Sequence, residues 1–383
     1  MAARLWTNQF MKVSLSNFLL FTSLYMLFPV LPQEIAEHLG VNVQQTALMF
    51  LFFTLGMLVI GPFHAYIIDV YKRKYICMLA SALIAVSTLG YGYVENVTEV
   101  MALSVVQGMA FGMATTAGIT LAIDITNSSL RSIGNIGFAW MGRLGMITGV
   151  ALGISFNHQI PFMHFLYVSL GIGLLGVLFI SRVYVPFRAP ITNCLCSCDR
   201  FLLLRGWVPG INLILLTFIL GLLIVFPHSF TLVSVQNMQL SVPFFALTVV
   251  GYLASMSLSR LKLIKDKTLH VVVLGLLFIM IALIFLGYGT VIIPAAILLG
   301  LGFGLTMPEF LVMFVKLSKH CQRGTANAMH LLCCEIGISL GIATSLLTDD
   351  KGSVLLMSRI AILVALLFFV LITYPYFLKK KVR

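Results

Sequence analysis

Charge is scarce in this chain of 383 residues: Asp, Glu, Lys and Arg make up 9% of it, and only 12 of those residues are acidic. A soluble domain carries about 25% charge, so this one would have no surface to show water. The sequence also lacks a Gly-x-x-x-x-Gly-Lys-Ser/Thr loop, which removes the usual phosphate cradle for nucleotide-driven work. No nucleophile–base pair, no metal-ligand spacing and no connection long enough for a soluble domain is present, which argues against an enzyme or a sensor. Seven cysteines include one cluster, Cys194, Cys196 and Cys198. Thiolate zinc sites want four ligands, so the cluster reads as reduced thiols, and neither a metal nor a cofactor is expected.

Apolar residues are abundant instead: 60% of the chain is hydrophobic and its mean hydropathy is +1.06. That is the composition of an integral membrane protein. At about 20 residues per span, twelve spans fit, at 13–32, 45–67, 75–94, 99–123, 132–156, 161–184, 207–229, 242–259, 269–288, 291–315, 324–347 and 353–376. The first apolar run continues into Pro29-Val30-Leu31-Pro32 without a small-residue cleavage site, so it is expected to stay as a span. Lys and Arg accumulate in cytoplasmic loops. Apart from Arg143, Lys351 and Arg359, all of them fall on the side of the termini, while Glu34, Glu37, Glu95, Glu99, Asp349 and Asp350 fall opposite. Both termini are therefore expected in the cytoplasm, with the chain in a plasma membrane of the bacterial inner type. The net charge of +12 then belongs to topology and the lipid bilayer, and no nucleic-acid partner is expected.

Gly108 to Gly149 recurs without a gap 192 residues later, as Gly300 to Gly341. Gly108, Phe111, Gly112, Arg131, Asn135, Gly145 and Gly149 fall on Gly300, Phe303, Gly304, Arg323, Asn327, Gly337 and Gly341. Six of the seven are Gly, Arg or Asn, which apolar composition does not repeat by chance. Two related halves follow, residues 1–184 and 207–383, joined by a cytoplasmic linker at 185–206. Among the pairs that differ, Arg143 stands where the second copy has Glu335.

The loop after span two reads Gly61-Pro62-Phe63-His64-Ala65-Tyr66-Ile67-Ile68-Asp69-Val70-Tyr71-Lys72-Arg73-Lys74. It resembles the signature of the major facilitator superfamily, Gly-x-x-x-Gly-x-x-x-Asp-Arg-x-Gly-Arg-Arg, at Gly61, Asp69, Arg73 and Lys74. It departs at Ala65, Val70 and Lys72, and Gly251 to Arg260 looks like its eroded twin. The resemblance implies an all-α integral membrane fold of twelve helices in two pseudo-symmetric six-helix bundles. It further implies a monomer that moves a small-molecule substrate by alternating access. By the same resemblance Asp69 would meet the start of span eleven near Gly324 and Thr325, where the helix dipole favours an anion. Asp124 would pair with Arg73 or Arg131, and Lys74 and Arg323 complete the expected cytoplasmic gate. Two features of the family's antiporters are missing: Ser104 stands where an Arg would precede Gln107-Gly108, and Gly149-Val150 replaces a Gly-Pro pair.

An ionisable group in mid-membrane costs several kcal/mol unless it faces protein or water. Arg143, Glu309, Glu335 and His330 qualify. At 100° per residue, Arg143 lies about 200–280° around its helix from Gly145, Gly149 and Gly153, away from the packing stripe, with Trp140 on its own side. Glu335 stands in the same relation to Gly337 and Gly341, with Ser339 on its face. His330 lies on the stripe side and reads as structural. Glu309 follows Pro308, which is expected to break the backbone bonding of span ten and open it toward a cavity. Asn17 and Thr22 on span one match Asn212 and Thr217 on span seven, so all four are expected to line a shared cavity, with Tyr25.

Two readings stay open for the charged pair. In one, Arg143 holds an anionic part of the substrate while Glu335 or Glu309 takes up and releases a proton; in the other, Arg143 and Glu335 are a structural ion pair or gate. The first reading leads to proton-coupled export of a small amphipathic compound. Its alternative is proton-coupled uptake, or facilitated transport, of an organic anion.

Overall fold

Each apolar run forms a helix because in lipid the backbone can satisfy its N–H and C=O groups only within itself. The computed structural model describes residues 5–157, 159–185, 195–226, 232–234, 241–258, 268–288, 291–319, 322–348 and 350–381. Its long helices are α1 (Asn8–Tyr25), α2 (Val43–Val70), α3 (Arg73–Gly90), α4 (Val97–Asp124), α5 (Arg131–Phe156) and α6 (Phe162–Ser181). The second half supplies α7 (Trp207–Ile224), α8 (Phe244–Leu258), α9 (Thr268–Tyr288), α10 (Ile292–Leu317), α11 (Arg323–Leu347) and α12 (Lys351–Lys380). Ten are long and apolar enough to cross a membrane; α1 and the shorter α8 complete the twelve. Between α7 and α8, Leu232–Ser234 and Ser241–Pro243 pair as a two-stranded antiparallel hairpin.

Three elements differ from expectation. The first span, expected at 13–32, begins at Asn8 behind a Thr7 cap and stops at Tyr25. A turn then leads into a short helix, Leu31–Leu39, with Pro32 in its first turn, where a missing N–H costs nothing. Pro308 was expected to break span ten, yet α10 runs through it from Ile292 to Leu317. One lost backbone bond is outweighed there by packing against α8 and α9 on its flanks. Span twelve runs on to Lys380 through a single π-turn at Phe369–Thr373.

The halves repeat each other helix for helix. In the first, α1 packs on α5 and α6 while α4 packs on α2 and α3; in the second, α7 packs on α11 and α12 while α10 packs on α8 and α9. The repeated glycines set these pairs. A Cβ on Gly108 would overlap the Phe53 carbonyl oxygen of α2, and one on Gly300 the Thr248 carbonyl oxygen of α8. Gly149 and Gly341 sit in the same way on the carbonyls of Thr22 and Phe218. Small residues let backbones approach this closely, which is what van der Waals packing in lipid needs. Contacts between the halves run mainly along α2 with α11 and along α5 with α8.

Candidate functional site: a buried ion pair between the halves

Because Gly145 and Gly149 press α5 onto α1, the opposite face of α5 turns inward and carries Arg143. The same arrangement of α11 on α7 turns Glu335 inward. The pseudo-symmetric positions meet: Arg143 Nη1 donates to Glu335 Oε1 at 3.1 Å. Arg143 is 4% exposed and Glu335 1%. Tyr25, fully buried on α1, donates its hydroxyl to Glu335 Oε2. The Arg143 guanidinium also lies 5.6 Å from the centre of the Phe21 ring and 3.5 Å from Met146 Sδ.

Cross-half contacts flank the pair along the helix axes. Trp140, one turn nearer the end of the bundle that carries the termini, stacks on Tyr252 of α8 at 5.0 Å, and the Tyr252 hydroxyl reaches the Trp140 carbonyl at 3.5 Å. One turn the other way, Thr54 Oγ1 donates to Ser339 Oγ at 2.6 Å. Asn17, Phe21, Phe138, Asn327 and His330 line a cavity on the termini side, with Arg143 in its wall. A larger cavity of about 400 Å³ opens at the far end, between Pro29, Glu37, Phe226 and Leu346. The ion pair stands between the two.

Energetics argue against a purely stabilising role. At 3.1 Å and an effective dielectric of about 20, the attraction amounts to about 5 kcal/mol. Burying both charges costs several kcal/mol each. The sum is close to zero, so a hydrophobic pair would hold the halves together as well.

The other expected cavity residues separate. Asn17 lines the termini-side cavity and donates Nδ2 to the Phe138 carbonyl at 3.0 Å. Thr22, expected beside it, instead donates to the carbonyls of Phe18 and Gly145. Asn212 and Thr217 were expected in the same cavity; Asn212 Nδ2 bonds the Ala365 carbonyl and Thr373 Oγ1, and Thr217 Oγ1 the Leu213 carbonyl. These three serve packing within each half. Glu309 is half-buried on α10 and is not among the residues lining the cavity at Arg143. His330, read as structural, does line it.

At the basic end Arg73 bridges α4 and the signature loop, with Nη1 2.7 Å from Asp124 Oδ2 and Nη2 3.2 Å from Asp69 Oδ1. Asp69 was expected to meet the start of α11 directly. The segment after Leu195 fills that gap: Arg200 Nη1 pairs with Asp69 Oδ2 at 3.0 Å, and the Arg200 carbonyl accepts from Thr325 Oγ1 at 2.9 Å. Ser197 N donates to the Pro62 carbonyl at 2.9 Å, and Phe201, 4% exposed, packs edge-on to His64 and against Gly61. Arg131 Nε is buried without a described hydrogen bond, no described ion pair includes Lys74, and the Arg323 side chain lies outside the described residues. Of the cysteine cluster, Cys196 and Cys198 are exposed and Cys194 lies outside the described residues. Arg200 and Phe201 carried no sequence signal, because a linker has no periodicity to read. Tyr252 fell within the eroded second-half motif.

The sequence profile of the Major Facilitator Superfamily matches residues 13–342. No curated protein matches the chain. Among solved structures, the human organic anion transporter MFSD10 (TETRAN) superposes with a TM-score of 0.65 at 16% identity, over 97% of this chain and 98% of that one. The nucleoside transporter NupG superposes with a TM-score of 0.68 at 15% identity, over 95% of this chain and 100% of that one. Likeness at such identities speaks for the fold, while the profile spans most of the sequence. This chain therefore belongs to the Major Facilitator Superfamily, as an integral multi-pass membrane transporter.

Proposed function

We propose that the protein couples the uptake of an organic anion to a proton by alternating access, its halves rocking around Arg143 and Glu335, with the basic end cytoplasmic. The observation that carries this reading is the buried bridge from Arg143 to Glu335, shared with the Tyr25 hydroxyl. While Glu335 is ionised it occupies the guanidinium, and an anion cannot displace it cheaply from a site this dry. A proton on Glu335 releases Arg143 to take the anion, and Tyr25 keeps the neutral carboxyl in place. Proton and anion therefore assist each other's binding, which is the requirement for symport. An amphipathic cation would have to approach Arg143 to reach Glu335, so the cavity favours uptake of an anion over proton-coupled export of an amphipathic compound.

The test uses purified protein in liposomes holding a pH-sensitive dye, with a panel of organic anions and amphipathic cations. Lumenal acidification that appears only with an anion is expected. Glu335→Gln should keep anion movement and lose the proton, and Arg143→Ala should lose both. Alkalinisation driven by a cation, or anion transport unchanged in Arg143→Ala, overturns the reading.

A further inference from the structure

The cavity beside Arg143 has polar groups that the ion pair does not use. Asn327 is 7% exposed, and neither its Oδ1 nor its Nδ2 has a hydrogen-bond partner among the described residues. His330 is 5% exposed and its Nε2 has none either, while its ring packs edge-on to that of Phe314 with ring centres 5.7 Å apart. Both residues line the cavity. A buried donor or acceptor costs about 1–3 kcal/mol when unmet, so three such atoms on one cavity wall call for polar occupants of that cavity. Asn17, across the same cavity, spends its amide nitrogen on the Phe138 carbonyl and shows what a settled Asn does here.

Position gives these groups a common purpose. Asn327, Leu331 and Glu335 follow each other at i, i+4 and i+8, so they share one face of α11. Along the axis His330 lies about 8 Å and Asn327 about 12 Å from Glu335, toward the basic end. Phe21 and Phe138 line the space between. A carboxamide side chain presents an acceptor and a donor side by side, and its complement is another such edge.

Resting on the reading that Arg143 takes the anionic end, we infer that Asn327 and His330 form a recognition edge for a carboxamide, lactam or equivalent donor-plus-acceptor group at the other end of the substrate. The substrate class is then a flat organic anion, charged at one end and amide-bearing at the other. Sites built to hydrogen-bond a substrate group reject analogues that lack it far more sharply than apolar pockets reject a missing methylene.

The test is calorimetric titration of the purified full-length protein with para-carbamoylbenzoate and with para-isopropylbenzoate, which has the same charge and nearly the same shape. The carbamoyl probe should bind at least about tenfold more tightly, a modest share of the discrimination such sites reach. Asn327→Leu should abolish that preference by weakening the carbamoyl probe, and Arg143→Met should lose both probes. Asn327→Ser is measured alongside in case the Leu variant fails to elute as a single species. Equal affinities in the unmodified protein, or a preference that survives in the Asn327 variants, overturn the inference; loss of both probes in Arg143→Met then leaves the anion reading standing. Failure of both probes to bind, or binding untouched by Arg143→Met, overturns the anion reading and the inference with it.

Discussion

Arg143→Met would leave Glu335 buried with Tyr25 as its remaining described partner. The pair's attraction at 3.1 Å is about 5 kcal/mol at an effective dielectric of about 20. Stranding one buried charge accordingly destabilises the protein by about 3–5 kcal/mol. Glu335→Gln strands the guanidinium instead, and the Phe21 ring at 5.6 Å returns about 1 kcal/mol of that by cation–π attraction. The double variant buries no charge, and the Gln amide oxygen still accepts from Tyr25, so it should lie within about 1.5 kcal/mol of the unmodified protein, as volume-conserving swaps do. Reversible denaturation in detergent micelles, followed by tryptophan fluorescence, gives the four free energies, with Trp140 one turn from the site as a local reporter. The cycle should return a coupling of about 3 kcal/mol or more. Single effects that add to within about 0.5 kcal/mol would refute the argument, because they would mean that the two charges do not meet in the resting protein.

Gly341→Val forces a side chain onto the Phe218 carbonyl and should cost about 1–3 kcal/mol by overpacking; Gly171→Ala, which meets nothing within 4 Å, should be neutral or stabilising in the same melts. Phe201→Ala removes a buried ring from the basic-end closure. Even 1.4 kcal/mol of bias toward the open form would raise maleimide labelling of Cys334, which faces Arg143 across the halves, about tenfold, measured with the other six cysteines replaced by Ser; an unchanged rate would show that the segment does not hold this end shut. In flux assays, Glu335→Gln should make anion transport independent of pH across the range in which the unmodified protein depends on it, and a retained dependence would move the coupling proton to another group.

Helix positions were legible because lipid leaves the backbone no other option, and the repeat showed that Arg143 and Glu335 occupy equivalent places. That each turns away from its packing stripe also followed from the sequence, since the glycines fix the opposite faces, but the sequence left open whether the two meet. Facing failed where no stripe anchored it. Asn17 and Thr22 are five residues apart, about 140° around a helix, so a shared spacing gave them a shared depth and not a shared wall. Thr22 turned to the Gly145 carbonyl while Asn17 stayed at the cavity. Pro308 misled for a different reason: a proline reports the bond it removes and says nothing of the neighbours that compensate. Arg200 and Phe201 were invisible because their partners, Asp69, Thr325 and His64, come from both halves.

The opposite signs at matching positions also govern which half can associate with which. Two copies of the first half, docked in the same geometry, would set Arg143 against Arg143; two copies of the second would oppose Glu335 to Glu335. Like charges that close in a dry interior cost several kcal/mol. Only the mixed assembly neutralises the centre, so the opposite charges at these two matching positions act as an address, directing each half to its complement.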